Sequence, residues 1–263
     1  MNKNNILENK ENKILKKGLF TSGAAITELL LFGNMLDMIK LEKQRNLNYS
    51  YKRTITELWS KGYMRANFLG VWPWGILMFG GRGLFYGTNN LIMQDQLKDT
   101  NLDIKTQKIL SSTYGGIMEG MLTSPFVLMR TRVAELKTNK NVKFSATPLL
   151  KSAPLNGVKR GLDWAIRSLI YENYQTEENR NYIGFVSGVV SSIITLPLDR
   201  LLPIIQQTRS PSEIIKWYKL AYQEKGKGVL FSGGIARILH GGLHTAFIFA
   251  ALSIIEKQGN INY

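Results

Sequence analysis

The chain lacks cysteine altogether, and only two of its 263 residues are histidine. It therefore offers no disulfide framework and no thiolate metal site. Its mean hydropathy of −0.11 is low for a membrane protein. Acidic residues are also scarce, since 34 Lys and Arg stand against 19 Asp and Glu and give a net charge of +15. Such an excess favours anionic partners, namely nucleic acid, anionic lipid or acidic metabolites.

The low average hydropathy hides six apolar stretches that are separated by charged segments. Each stretch is near the length that an α-helix needs to cross a bilayer. They cover residues 19–39, 71–93, 109–129, 154–171, 182–205 and 229–255. Glycine, serine and an occasional charge dilute most of them, which a helix bundle tolerates when the polar groups face an internal cavity. The sequence thus predicts an all-α membrane protein.

The connections between the stretches differ in charge. Those after the first, third and fifth stretches are strongly basic, whereas the two even connections hold mixed or acidic charge. Because a Lys/Arg bias orients a membrane protein, the three basic loops are expected on one side of the bilayer. These bases belong to membrane-adjacent loops without a module that reads RNA or DNA, so we expect no nucleic-acid partner.

One short sequence motif, called the repeated phrase below, occurs three times, each time after an apolar run. The copies run from Met35 to Gln44, from Pro125 to Ala134 and from Pro197 to Gln206. No copy is complete, but the three share one register: a helix breaker, an acid two residues on, a base five on and a glutamine nine on. Proline inside a helix removes a backbone hydrogen bond, so we predict kinks at Pro125 and Pro197. Three copies of a phrase indicate a threefold repeated architecture.

The repeated phrase resembles the signature of the mitochondrial carrier family, and the resemblance covers residues 18–257. It implies six transmembrane helices in three helix-pair repeats about a pseudo-threefold axis, with short helices on the matrix side. The expected division is a solvated tail at 1–17 and repeats at 18–98, 99–178 and 179–263, the second with a shortened matrix segment. The resemblance also implies the mitochondrial inner membrane, with both termini on the intermembrane-space side and cardiolipin at the matrix-side helix ends.

In this family the acid of each copy bonds the base of the next and closes the pathway on the matrix side. Applied to this sequence, the resemblance pairs Asp37 with Arg130 and Asp199 with Lys40. Gln44 holds the place of the glutamine that braces such a bridge. These five residues form the expected matrix gate.

The third pairing of that gate would join Val127 to Leu202, both of them apolar. Losing both charges together avoids stranding one buried charge without a partner. The family's second gate, at the other end, survives only as Tyr171-Glu172, which fits half of its pattern. This erosion argues against full transport activity.

The fourth stretch carries four charged residues on one side. At about 100° per residue, Lys159, Arg160, Asp163 and Arg167 fall within one quadrant of a helix and can face one cavity. In carriers, the places of Lys159 and Arg160 contact substrate, and the same place in the third copy is His240, with Arg237 one turn earlier. Lys159, Arg160, Arg237 and His240 are therefore the candidate substrate residues, suited to a carboxylate or phosphate.

Two alternatives for these bases stay open at this point. They could bind cardiolipin headgroups, or they could form structural pairs with Asp163 and Glu119.

His240 and His244 lie one helical turn apart, a spacing that suits zinc. No third ligand is nearby in sequence, so polar helix packing is the expectation and no metal site is assigned. No cofactor motif and no catalytic constellation emerges either, so the chain is not expected to be an enzyme.

Two functions follow from these observations. The first is secondary transport of a small anionic metabolite by alternating access. The second is a structural subunit with a carrier fold that no longer transports and is embedded in a larger inner-membrane, respiratory complex. The eroded second gate, the shortened middle repeat and the missing proline of the first copy motivate the second.

Overall fold

The computed structural model describes a helical chain. The residues that it describes are 12, 16, 19–45, 48–60, 74–136, 147–176, 178–207, 215–216, 219–220, 222–223, 226–229 and 231–258, and no strand occurs among them. Most of the predicted tail at 1–17 lies outside these ranges. So does the segment 137–146, where the shortened matrix segment of the second repeat is predicted.

Seven helices can be followed in order. Residues 19–45 form α1, which includes a π-helical turn at Leu29–Gly33. The others are α2 (Tyr51–Ser60), α3 (Trp74–Leu97), α4 (Ile104–Leu136), α5 (Thr147–Tyr174), α6 (Arg180–Gln207) and α7 (Gly234–Gln258), with a 3₁₀ turn at Gly226–Val229 before the last. The six long helices coincide with the six apolar stretches, and α2 lies where the resemblance predicts the short surface helix of the first repeat.

The six long helices pack in a circle. Each contacts the next in the order α3, α4, α5, α6 and α7, and α7 in turn contacts α1. The circle closes between α1 and α3, where the Thr21 hydroxyl donates a 2.7 Å hydrogen bond to the carbonyl of Gly83. Side chains that point to the middle of the circle can therefore meet across several helices.

A glycine sits at the close approach within each helix pair. A Cβ on Gly83 would lie 2.4 Å from the backbone oxygen of Thr21, and one on Gly120 would lie 2.4 Å from that of Asn156. In the third pair, a Cβ on Gly188 would lie 2.1 Å from the backbone oxygen of Gly241. Close backbone approach at small residues is typical of helices packed in a membrane, where apolar burial does not drive association.

The polarity of the bundle is the reverse of that of a soluble domain, whose interior is mostly apolar. Large apolar side chains such as Leu31, Ile194 and Leu239 are exposed, whereas Asp163, Arg167 and many serines are fully buried. Two helical segments, Leu19–Gln44 and Arg180–Leu202, are long and apolar enough to cross a membrane by length and composition alone. Charged and polar side chains lower the hydropathy of other long helices, as in the middle of α5.

The repeated phrase lies within long helices in all three copies. The chain remains helical through Pro125 in α4 and through Pro197 in α6, so the kinks stay predictions. In the first copy, which has no proline, the π turn at Leu29–Gly33 immediately precedes Asn34. A π turn locally interrupts the regular α-helical hydrogen bonding. The helix that holds the first copy thus has an irregularity of its own, just before the position of the missing proline.

Helix α2 lies across the end of the bundle that carries the repeated phrase. Its start is capped by Ser50, whose hydroxyl accepts a 3.1 Å hydrogen bond from the backbone N–H of Arg53. The Tyr51 hydroxyl accepts a 3.2 Å hydrogen bond from the backbone N–H of Ile235, at the start of α7. Partial burial raises the pKa of Tyr51 above its usual value. This contact fixes α2 to the start of α7.

Candidate functional site

The candidate substrate residues occupy two facing places in the circle. Lys159 and Arg160 lie in the middle of α5, and Arg237 and His240 lie in the first turns of α7. All four side chains are buried. Gly233 precedes α7 with φ of 79°, and a Cβ there would lie 3.0 Å from the backbone oxygen of Lys40. Only glycine adopts that conformation easily, and it brings the start of α7 close to α1.

Three arginines converge on one carboxylate oxygen at the centre. Asp163 Oδ2 accepts hydrogen bonds from Arg160 Nη1 at 3.1 Å, Arg167 Nη2 at 2.8 Å and Arg237 Nη2 at 3.2 Å. The Asp163 side chain is fully buried, and none of the arginine side chains is more than 6% exposed. Buried charges of this kind persist only when they are paired and hydrogen-bonded. Guanidinium groups around a carboxylate are also the arrangement that recognises anionic ligands.

Glu119 of α4 supports the same cluster from the other side. Its Oε1 accepts hydrogen bonds from Arg160 Nε at 2.8 Å and from Arg160 Nη2, and its Oε2 accepts one from Trp164 Nε1 at 2.7 Å. Arg82 Nε of α3 lies 3.7 Å from Oε1. Glu119 therefore joins three helices. Arg160 pairs with both Asp163 and Glu119, the two acids named above as its possible structural partners.

Asp199 of the third repeated phrase contacts cations from α5 and α7. It pairs with Lys159, and Arg237 Nε lies 2.5 Å from its Oδ2. Lys40 Nζ lies 2.7 Å from Asp37 Oδ1, one turn earlier on its own helix, and its expected pairing with Asp199 stays a prediction. The physical reason is proximity: α5 and α7 both flank α6, so their side chains reach Asp199 from either side. Asp199 of the expected gate thus shares one network with Lys159, Arg160 and Arg237 of the expected substrate residues.

The remaining gate positions are Arg130, Gln44 and the apolar pair Val127 and Leu202. The side chain of Arg130 lies outside the described residues, so its pairing with Asp37 stays a prediction. Gln44 is buried beside Gly233, with its Cγ 3.3 Å from where a Cβ would be. Val127 packs on the apolar cluster of Leu29 and Met78, and Leu202 is buried.

A second buried cluster joins the first and last long helices. Glu28 Oε1 lies 3.1 Å from His240 Nε2, and Glu28 Oε2 lies 2.9 Å from His244 Nδ1. The exposed fraction of the Glu28 side chain is 0%. His240, a candidate substrate residue, therefore contacts an acid that the sequence analysis did not single out. The signal was present, because an acid within a membrane-type apolar run is itself an indication of function.

Aromatic side chains fill the interior towards the other end of the bundle. Tyr86 stacks on Trp164 and Tyr171 stacks on Phe249, each pair with ring centroids 3.9 Å apart. Together with Ala25 and Ile248 they form one buried cluster. At that end Glu172, the surviving acid of the second gate, pairs with Lys108 of α4 at 3.2 Å.

The adjoining interior cavity is small. It is lined by side chains of both clusters, among them Glu119, Arg160, Trp164 and His244, and it leaves about 10 Å³. That is roughly the room for one water molecule.

Comparison with known proteins gives matches at low identity. The chain is 20% identical over 147 residues to the citrate/oxoglutarate carrier protein of Saccharomyces cerevisiae, a match that covers 52% of this chain and 46% of that protein. It is 24% identical over 195 residues to the mitochondrial thiamine pyrophosphate carrier 1 of Candida albicans, covering 63% and 65%. It is 28% identical over 120 residues to the mitochondrial carnitine carrier of Saccharomyces cerevisiae, covering 43% and 36%.

These matches span less than two thirds of each relative's length. No family model matches the chain. The relatives are carriers by name, which groups the chain with transport proteins and not with enzymes. Like the phrase that occurs three times, these matches show that the chain is similar to members of the mitochondrial carrier family at low identity.

Proposed function

We propose that this chain is a secondary transporter of a small anionic metabolite that works by alternating access in the mitochondrial inner membrane. The proposal includes six membrane spans in three repeats, basic loops in the matrix and both termini in the intermembrane space. The carrier relatives support it in general terms. The observation that supports an anionic substrate is the convergence of three arginines on the single oxygen Asp163 Oδ2.

The charge of the network supports an anionic ligand. Among the described residues, its ion pairs join five cationic side chains to three carboxylates. The cations are Arg82, Lys159, Arg160, Arg167 and Arg237, and the carboxylates are Glu119, Asp163 and Asp199. The Asp37–Lys40 pair is balanced, and counting Glu28 with neutral histidines still leaves an excess of one positive charge. A buried surplus of positive charge attracts a carboxylate or phosphate.

In this proposal Asp163 and Asp199 hold the cations in the absence of substrate. An incoming anion competes with the two aspartates for Arg160, Arg237 and Lys159. Its binding energy offsets the loss of the internal ion pairs, as any ligand-driven conformational change requires. Because Asp199 belongs both to the network and to the expected gate of Asp37, Lys40, Arg130 and Gln44, anion binding would loosen that gate. The basic loops would bind cardiolipin at the matrix-side helix ends.

Exchange measurements in liposomes test the transport proposal. Purified protein is reconstituted into liposomes. The liposomes are loaded with a panel of di- and tricarboxylates, phosphate and nucleotides, and the uptake of labelled anions is followed. We expect exchange of at least one anion, reduced at least tenfold by Arg160→Gln. The control is Arg53→Gln, because Arg53 lies on α2 over the ring of Tyr49 and not in the network. Wild-type liposomes that exchange no anion of the panel would contradict the proposal.

A second candidate function is a structural subunit of a larger inner-membrane, respiratory complex. The specific observation that favours it is the close packing of one described part of the interior: beside the aromatic cluster, the cavity of about 10 Å³ is too small for a metabolite. In this case the network serves only to hold the helices together.

Native purification separates the two candidates. The protein is solubilised in a mild detergent, resolved on a native gel and traced by a small tag. Stable co-migration with a respiratory complex, together with no anion exchange by the isolated protein, would favour the structural subunit. Migration at the size of the isolated chain with anion exchange would favour the transporter.

A further inference from the structure

The cluster of Glu28, His240 and His244 has the composition and geometry of a metal site. One ligand atom from each residue can be chosen so that all three lie within 4.8 Å of one another. The two contacts to the Glu28 oxygens are 3.1 and 2.9 Å. In a tetrahedral zinc site with bonds of about 2.0–2.1 Å, neighbouring ligand atoms lie roughly 3.3 Å apart. Small side-chain movements would therefore bring the three ligands around one ion.

The backbone of α1 is shaped around the Glu28 carboxylate. Glu28 is the residue immediately before the π turn, and π turns inside α-helices occur frequently at functional sites. Gly33 closes that turn, and a Cβ there would lie only 2.4 Å from Glu28 Oε1. The absence of a side chain at Gly33 thus leaves the space that the carboxylate occupies. This is a second observation, independent of the histidines, that points to a built site.

The surroundings also suit a bound ion. The His240 and His244 side chains are only 7% and 8% exposed, and Trp164 packs edge-on to His244 with 6.5 Å between ring centroids. His244 borders the 10 Å³ cavity, which has roughly the room for one water molecule as a fourth ligand. Arg82 borders the same cavity, but it lies 3.7 Å from the Glu119 carboxylate, which offsets its charge.

We propose that Glu28, His240 and His244 bind one divalent transition-metal ion of the zinc class. Two imidazoles and one carboxylate select such an ion over magnesium or calcium, which prefer oxygen ligands alone. The ion would join α1 to α7, the first and last long helices of the circle. The proposal does not depend on whether the chain transports an anion, because none of the three ligands belongs to the Asp163 network.

Cobalt spectroscopy offers a sharp test, because the chain has no cysteine and its only two histidines both lie in this cluster. The protein is purified in detergent with an affinity tag that contains no histidine, stripped with a chelator and titrated with Co²⁺. We expect one ion per chain, an intense visible absorption of tetrahedral Co²⁺, and loss of that absorption when Zn²⁺ is added. Zn²⁺ should also raise the melting temperature of the stripped wild-type protein.

Variants locate the site. His240→Gln, His244→Gln and Glu28→Gln should each weaken Co²⁺ binding at least tenfold and abolish the thermal stabilisation by Zn²⁺. Glu172→Gln is the matched control, since Glu172 is also an intramembrane-type carboxylate but pairs with Lys108 at the other end of the bundle. The wild-type measurements need no variant to fold. A wild-type protein without saturable Co²⁺ or Zn²⁺ binding, or unchanged binding in a folded His240→Gln/His244→Gln double variant, would overturn the proposal.

Discussion

Each of the two buried clusters of the bundle holds a buried carboxylate, but the partner side chains differ in chemistry. In each, a carboxylate contacts basic side chains: Asp163 contacts three arginines from its own helix and from α7, and Glu28 contacts two histidines of α7. Arginine stays protonated at every relevant pH, so the Asp163 cluster is permanently ionic. Histidine can be neutral, which leaves the Glu28 cluster able to accept a proton or a metal ion. The first cluster is thus suited to keep its own net charge constant, and the second is suited to change its net charge.

The largest effect is expected for Asp163→Asn. This change leaves three buried guanidinium groups around a neutral amide, and removing one partner of a buried ionic network costs about 3–5 kcal/mol. We expect a correspondingly large fall in the melting temperature of the purified protein in detergent, followed by tryptophan fluorescence.

Asp95→Asn is the matched control for that change. Asp95 pairs with Lys98 at 3.3 Å on an exposed surface, where such pairs contribute about 0–1 kcal/mol. Equal losses in the two variants would mean that the Asp163 cluster contributes no more than a surface pair.

A smaller effect is expected for Glu28→Gln. The amide keeps the size of the side chain and one acceptor oxygen, and the histidines can adopt neutral forms, so no permanent charge is stranded. Hydrogen bonds to charged groups contribute about 1.5–3 kcal/mol, and part of that is retained by glutamine. The melting temperature in the presence of a chelator should fall by less than in Asp163→Asn. A larger fall would contradict the distinction between a permanently ionic and a switchable cluster.

A third change tests the backbone that holds Glu28. In Gly33→Ala the new methyl group would collide with the Glu28 carboxylate, and overpacking of this kind costs about 1–3 kcal/mol, at the low end here because the carboxylate can turn. Gly23→Ala is the control in the same helix, since a Cβ there meets nothing within 4 Å. It should be neutral or stabilise by about 0.5–1 kcal/mol. Melting temperatures that shift in the same direction would argue against a shaped pocket at Gly33.

The smallest effect concerns Asp103, a surface carboxylate with neutral partners. It accepts hydrogen bonds from the Thr106 hydroxyl at 2.5 Å and the Thr106 backbone N–H at 3.0 Å, and these lower its pKa. A lowered pKa means that its contribution is present above the pKa of the unfolded chain and disappears as the pH falls through the folded value. The melting temperature of Asp103→Ala should therefore fall below that of wild type at neutral pH and converge with it in acid. If the difference in melting temperature between wild type and Asp103→Ala persisted unchanged in acid, the charge of the Asp103 carboxylate would not be the source of its stabilising effect.

The sequence located most of the elements but fewer of the contacts. Helical periodicity placed Lys159, Arg160, Asp163 and Arg167 on one side of α5, and all four side chains are buried in the structure. Periodicity along one helix can show which side chains share a face. It could not show that Asp199 would contact Lys159 and Arg237, because those partners lie 40 and 38 positions away on two other helices.

What the sequence determined by itself is the set of six long helices, their basic connections and the threefold phrase, because these depend on local composition and spacing. What only the tertiary structure decided is the pairing of the buried charges. Glu28 lies more than two hundred positions from His240 and His244, and closure of the circle between α7 and α1 brings them together. The physical reason is that a buried charge must find a partner wherever the packing of the helices places one, and that packing is not local to any one segment of the chain.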